Sequence, residues 1–269
     1  MSSTTSQLIA RDGLGLLVRH WACPSSRAQI VLVHGIGEHS GRWERAGSYF
    51  ADHGFAVTAW DHRGHGASGG DRVDVASFEE YLDDLELVLA SIGDGKPAVV
   101  YGHSMGGLIA TSYGMSPRPQ PDMYVLSAPA LSANIPIVLR ASAKVLGKLR
   151  PGMRMANSIT GDQLSSDPRV GEEYFADPLV ETKPTLRFGN AFLSQMDSIR
   201  NEYEKLTRPT LVIHGASDDL VPPQASAPLA GLDNVKRKLF AGMRHEIHNE
   251  ANWQEVLDYV IGWIDAQLA

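Results

Sequence analysis

The stretch Ala98-Val-Val-Tyr-Gly-His-Ser-Met-Gly-Gly-Leu-Ile-Ala110 decides how the chain is read. It begins as a short apolar run with adjacent valines, the composition of a buried strand. It ends in Leu108-Ile-Ala-Thr-Ser-Tyr113, which continues as a helix. Ser104 therefore falls on a sharp turn between a strand and a helix. Such a turn strains its central residue and tolerates only small neighbours, which accounts for Gly102, Gly106 and Gly107. The serine hydroxyl is left at the C-terminal end of the strand. The amide of Met105 and the positive end of the helix face whatever the hydroxyl attacks. This is the arrangement of a nucleophile in acyl transfer.

Outward from that turn the chain alternates strands with helices. Asp12-Gly13 is a hairpin signal between Leu8-Ile9 and Leu14–Trp21, and residues 1–7, polar throughout, are expected to fray. Gln29–Val33 reads as a central strand, and a helix is expected from about Arg42 to His53. Further strands are expected at 55–60 and from Met123. Ser77-Phe-Glu-Glu80 reads as a capping box opening a helix whose apolar face runs from Phe78 to Ile92. Strands return at 209–215 and 235–240, and a final helix follows Asn252, with Glu255 in the reciprocal capping position. The sequence Gly64, Gly66, Gly69 has the spacing of a dinucleotide fingerprint, but the next helix begins only near Ser77, so it reads as a tight loop. The alternation predicts an α/β fold: a mostly parallel central sheet flanked by helices.

Between about Ala130 and Leu206 strand texture stops, and Pro136, Pro151, Pro168, Pro178 and Pro184 punctuate short helical pieces. This predicts a helical lid inserted at 131–206 between two parts of one core, 1–130 and 207–269. The first lid piece, Ile135 to Leu149, is amphipathic. It is read as packing on the core, with contact to membrane or lipid aggregates as the sharper alternative.

Composition narrows the classes. The 269 residues carry 43% hydrophobic and 20% charged side chains and a net charge of −7, which argues against a nucleic-acid partner. Cys23 is the only cysteine, so no intrachain disulfide forms and a reducing compartment is expected. There is no signal-peptide pattern and no apolar run near the roughly 20 residues that span a bilayer. The expectation is a cytoplasmic protein with the lid as the candidate for peripheral membrane contact. Nothing bears on oligomeric state.

A serine nucleophile needs a base and a group to orient it, and on this architecture they follow in the order serine, acid, histidine. Asp218 and Asp219 follow the strand 209–215, and His245 and His248 follow the strand 235–240. The strand from Met123 ends in Ser-Ala-Pro, leaving the competing acid position empty. The spacing His245-Glu-Ile-His248 does not fit a zinc helix motif, and neither does His62 with His65. Those two histidines, with His34 and His103, read as packing residues. The second oxyanion donor is expected from the loop after the first central strand, at the amide of Ile36, partnering that of Met105. No metal or organic cofactor is implied.

The segments His34-Gly-Ile-Gly-Glu-His-Ser-Gly-Arg42, Asp61-His-Arg-Gly-His-Gly-Ala-Ser-Gly-Gly70, Gly102-His-Ser-Met-Gly-Gly107, His214-Gly-Ala-Ser-Asp218 and His245-Glu-Ile-His-Asn-Glu250 together resemble the monoacylglycerol lipases of the α/β-hydrolase superfamily, most closely the bacterial members. Ser166-Asp-Pro-Arg-Val170 and Asp177-Pro-Leu-Val180 extend the resemblance into the lid. It implies an α/β-hydrolase fold, Asp218 as the acid and His245 as the base. It implies that Glu38, Arg42 and His248 line the polar end of the site, where glycerol sits. It implies hydrolysis of a monoacylglycerol, a lipid ester, through an acyl-enzyme. Lysophospholipase and carboxylesterase activities are the alternative enzyme readings, and a ligand-binding protein on the same fold is the non-enzyme one.

Overall fold

The computed structural model describes residues 2–93, 95–132 and 146–269. Eight strands form one sheet: β1 (Thr4–Ile9), β2 (Gly15–Trp21), β3 (Ala28–Val33), β4 (Phe55–Trp60), β5 (Ala98–His103), β6 (Met123–Ser127), β7 (Thr210–Gly215) and β8 (Val235–Phe240). Their order across the sheet is β1-β2-β4-β3-β5-β6-β7-β8. The pairs β1–β2 and β2–β4 are antiparallel and the rest are parallel. The described helices are α1 (Glu44–Asp52), α2 (Glu79–Ser91), α3 (Met105–Gly114), α4 (Gly161–Leu164), α5 (Pro168–Ala176), α6 (Leu186–Ile199) and α7 (Trp253–Leu268).

The sheet has a core on each face because its central strands carry apolar residues toward both, with successive side chains pointing opposite ways. Val31, Val33 and Val100 pack with Leu85 and Val88 of α2, Leu108 and Ile109 of α3, and Phe188 and Met196 of α6. Ile30, Leu32, Val99 and Tyr101 pack on the other face with Phe50 of α1 and Val256, Val260 and Ile264 of α7. Full burial of side chains of this size stabilises by about 1.5–3 kcal/mol each.

Three local expectations are revised. The N-terminus is not frayed: β1 starts at Thr4 and pairs with His20 and its neighbours, and the Ser3 hydroxyl donates to Glu44 at 2.7 Å. An exposed edge strand is held by backbone pairing, which leaves no apolar periodicity to read. The helix expected from Arg42 begins instead with a 3-10 turn, Ser40–Trp43, where His39 Nδ1 accepts the Gly41 N–H at 3.1 Å. Asn252 does not cap α7 through its side chain; it meets Glu255 side chain to side chain at 3.5 Å. At Ser77 the Glu80 carboxylate does reach back to the Ser77 N–H at 2.9 Å. The loop 61–70 closes on itself, with Gly64 N–H donating to Gly69 O at 2.8 Å, and no helix follows until α2.

Between β6 and β7 the described chain holds α4, α5 and α6 and no sheet strand. Most of the expected piece Ile135 to Leu149 lies outside the described residues. The α4–α5 region is tied to the core by His39 Nε2 on Asp177 Oδ2 at 2.8 Å and by Glu181 N–H on Gly37 O at 2.9 Å. All the loops that carry the motifs leave the C-terminal ends of parallel strands, so one edge of the sheet collects them.

The turn after β5 depends on contact without side chains. A Cβ on Gly106 would lie 2.0 Å from Val33 O, and one on Gly102 would lie 2.3 Å from Gly106 O. Gly106→Ala is expected to lower unfolding stability by about 1–3 kcal/mol, the usual cost of overpacking, and to abolish labelling of Ser104 by a fluorophosphonate. Denaturant titration and probe labelling check both. A variant as stable and as reactive as the parent would remove the close-approach argument.

Candidate active site

Ser104 sits at the elbow between β5 and α3 with φ 53° and ψ −115°. A non-glycine residue there is strained, typically by about 1–3 kcal/mol, and persists only when its surroundings over-determine it. They do: Ser104 N–H donates to Ser127 O at 3.0 Å, and Ser104 O accepts from Ala130 N at 3.0 Å and Leu108 N at 3.1 Å. Met105 opens α3, so its N–H has no acceptor within the helix.

Ser104 and His245 line one narrow cavity, with Ile36, Glu38, His103 and Glu246 from the core and Ile159, Leu164 and Tyr174 from the 131–206 region. His245 Nδ1 donates to Asp218 Oδ2 at 2.7 Å. Asp218 is buried while Asp219 is exposed, so of the two candidate acids only Asp218 meets the histidine. The other Asp218 oxygen accepts from Leu220 N and Val221 N, both at 2.9 Å. Burial pulls the Asp218 carboxyl up. Hydrogen bonds from His214, His245 and the Val221 amide outweigh it and hold the group well below the usual carboxylate range. An ionised Asp218 fixes the His245 tautomer with its proton on Nδ1, which leaves Nε2 free to accept a proton.

The polar wall is a buried charge network. Arg42 is bidentate to Glu246 at 2.7 and 2.8 Å and reaches Glu38 Oε2 at 3.1 Å. Glu38 Oε1 accepts the Gly35 N–H at 2.6 Å. Against burial, Arg42 holds Glu246 down to about 2. Burial raises Glu38, and the Glu246 charge adds to that, despite Arg42. One guanidinium thus serves two carboxylates, gripping Glu246 bidentately and Glu38 through a single contact. Glu38 and Glu246 line the cavity, whereas Arg42 stands behind them, its guanidinium 4.8 Å from the Tyr174 ring centroid. His248 is not among the cavity-lining residues. Its ring stacks on Trp43 at 4.1 Å and meets His103 edge-on at 4.8 Å.

Three residues here escaped sequence reasoning as individuals. Glu246 and Glu250 lie inside a quoted motif, but their partners come from distant segments. Glu250 accepts from Arg244 N at 2.7 Å and from Ser165 Oγ at 3.0 Å, tying the His245 loop to the 131–206 region. His214 contacts Asp218 directly. Among the described residues, no group of three or more histidine, cysteine, aspartate or glutamate side chains is placed to hold a metal ion.

Of the buried histidines around this cavity, five lie where burial works against their charged form. His34 Nδ1 donates to Gly35 O at 2.7 Å, and its Nε2 accepts the His62 N–H at 2.9 Å. The tautomer of His34, two residues before Ile36, is therefore set by the neighbouring loop. Burial pushes His34, His62 and His103 well below the ordinary imidazole range, His65 to about 4 and His248 to about 3. These groups stay neutral in the folded chain but bind protons once unfolded. Their stabilisation is complete above about 6.5 and is lost as pH falls below it, each at about 1.4 kcal/mol per pH unit. Unfolding near pH 5 is expected to take up roughly five more protons than at pH 8, so stability should fall steeply between pH 7 and 5, above the carboxylate range. Denaturation curves across that interval measure it, and a flat profile would contradict the neutral cluster.

Comparison with known proteins places this site in context. The family described as "Serine aminopeptidase, S33" matches residues 24–252. A monoacylglycerol lipase of Mycolicibacterium smegmatis is 38% identical over 251 residues, covering 90% of this chain and 89% of that protein. The human monoglyceride lipase is 30% identical over 257 residues, covering 90% and 84%. The crystal structure of Paleococcus ferrophilus monoacylglycerol lipase superposes with a TM-score of 0.84 at 31% identity, covering 92% of this chain and 97% of that one.

Proposed function

Because the chain belongs to the serine aminopeptidase S33 family, and within it to the monoacylglycerol lipases of the α/β-hydrolase superfamily, we propose that it hydrolyses monoacylglycerols to fatty acid and glycerol by serine catalysis. The observation that carries this reading is the shared cavity of Ser104 and His245, with the imidazole locked by Asp218 at 2.7 Å.

Ser104 Oγ attacks the ester carbonyl while His245 Nε2 takes its proton. Asp218 stabilises the imidazolium that forms. The amides of Ile36 and Met105 receive the oxyanion; each such donor typically lowers the barrier by about 3 kcal/mol. His245 returns the proton to the departing glycerol oxygen, and the acyl group stays on Ser104. Water then attacks the acyl-enzyme with His245 as base, and the carboxylic acid leaves. Glu38, in the cavity wall, is the group we assign to the glycerol hydroxyls. Arg42 supports it through the ion pair, and His248 does so by packing behind His103.

We assign residues 131–206 to a lid. Ile159, Leu164 and Tyr174 would form the near wall against the acyl chain, where each buried methylene is worth about 0.8 kcal/mol. Leu149, Met153, Met155 and Phe175 are exposed on the same region and offer an apolar rim to a lipid aggregate. No described helix is long and apolar enough to cross a membrane. The rim reading expects Leu149→Ser with Met153→Ser to slow hydrolysis of aggregated long-chain monoacylglycerol several-fold while sparing a soluble short-chain ester. Equal loss on both would remove it.

The family's description also names peptidases. An aminopeptidase must hold a substrate ammonium, yet Glu246 is already paired with Arg42 and burial disfavours the charged form of Glu38. Activity should therefore appear on monoacylglycerols across a chain-length series and be absent on amino-acid arylamides. Ser104→Ala should lose both turnover and fluorophosphonate labelling. Asp218→Asn should lower kcat by about 10⁴-fold, while Asp219→Asn stays near wild type. Turnover of lysophosphatidylcholine with none of any monoacylglycerol would reject the substrate, and an active Ser104→Ala would reject the mechanism.

A further inference from the structure

The mechanism leaves one wholly buried imidazole beside the triad without a task. His214 lies near the end of β7, four residues before Asp218, and is 0% exposed. Its Nε2 faces Val221 O at 2.7 Å and Asp218 Oδ2 at 3.2 Å. Neither oxygen brings a proton, so Nε2 must carry one, which it donates to Val221 O with Asp218 Oδ2 standing 3.2 Å from the same nitrogen. In neutral imidazole Nδ1 is then an acceptor, and it lies 3.0 Å from Ser226 Oγ.

Ser226 has one hydroxyl proton and two candidate acceptors, His214 Nδ1 and Pro223 O, the latter at 3.1 Å. Arg237 weights the choice. Its Nη2 donates to Pro223 O at 2.5 Å, and its Nε donates into Ser226 Oγ at 3.2 Å. The serine proton is thereby turned toward His214 Nδ1. Side chains from two elements outside the triad thus set the tautomer of His214.

We propose that His214 is a positioning residue for the triad: with Ser226 and Arg237 fixing its tautomer, it holds the Asp218 carboxylate in the orientation that His245 needs. Asp218 Oδ1 is gripped by two backbone amides, and Oδ2 receives both imidazoles. Without His214, Oδ2 keeps a single side-chain donor, and that donor is the base itself, whose bond changes strength twice in each turnover. The inference rests on the assignment of Asp218 and His245 made above, and it is independent of which ester is the substrate.

The test is a double-mutant cycle on the full chain, read with p-nitrophenyl butyrate, a simple ester that needs the triad but no glycerol site. His214→Leu is expected to lower kcat by about 10²-fold, the scale of a misplaced catalytic group, with KM within about twofold. His214→Gln can still donate to the two oxygens and accept from Ser226, and it is expected to stay within about tenfold of wild type. In the Asp218→Asn background, adding His214→Leu should cost less than about twofold, because its partner is already lost. The inference is overturned if His214→Leu keeps kcat within about threefold of wild type, or if it lowers the rate by the same factor in both backgrounds, as a merely structural role would. Should the leucine variant not fold, Ser226→Ala completes the same cycle: a several-fold loss confined to the Asp218 background supports the inference, and an equal loss in both overturns it. A fully active Asp218→Asn would instead defeat the triad assignment, a result distinct from any His214 outcome.

Discussion

The close approach of α3 to the end of β3 is the constraint on which the rest of the site depends. Gly106 lies so near Val33 O and His34 O that no side chain fits between them. That contact sets how sharply the chain turns at Ser104, and the strained serine backbone is the consequence. The same contact brings the amide end of α3 beside the loop that carries Ile36. Ser104 and the amides of Met105 and Ile36 are thus placed by a single backbone-to-backbone fit.

Around that fit the molecule arranges charge economically. Burial would ordinarily neutralise each ionisable group near Ser104. Histidines 34, 62, 65, 103 and 248 follow that rule, the first four hydrogen-bonded through one or both ring nitrogens and His248 held by ring packing on Trp43 and His103. Asp218 and Glu246 break it, each because specific donors outnumber the cost: two imidazoles and two amides on Asp218, a bidentate guanidinium on Glu246. The site therefore contains two fixed negative charges with different partners. One stands against the His245 imidazole, 2.7 Å from its Nδ1. The other holds Arg42 in a bidentate pair, while Glu38 in the cavity wall keeps a single contact with the same guanidinium.

Much of this was legible in the chain. Short continuous apolar runs and glycine punctuation located the central strands, because a parallel sheet covered on both faces favours apolar residues on successive positions. The elbow was legible because its geometry tolerates so few residues. Less legible was anything held by long-range contact. β1 pairs through its backbone and carries no pattern. Glu246 and Glu250 sit in a quoted motif, but nothing local to it names Arg42 and Ser165 as their partners. His248, expected at the polar end by resemblance, packs against Trp43 and His103 instead, a placement no local spacing encodes.

What the sequence by itself determined was the chemistry: a serine on a strand–helix turn, with an acid and a histidine after later strands in the required order. Those features are local, since turn strain, strand burial and helix periodicity all act over a few residues. Only the tertiary structure decided between Asp218 and Asp219 on physical grounds, by burying one and exposing the other. It also decided which imidazoles are neutral scaffolding, and it brought His214, Ser226 and Arg237 into line behind the acid. Those outcomes depend on desolvation and on partners far apart in the chain, and both exist only once the sheet has assembled.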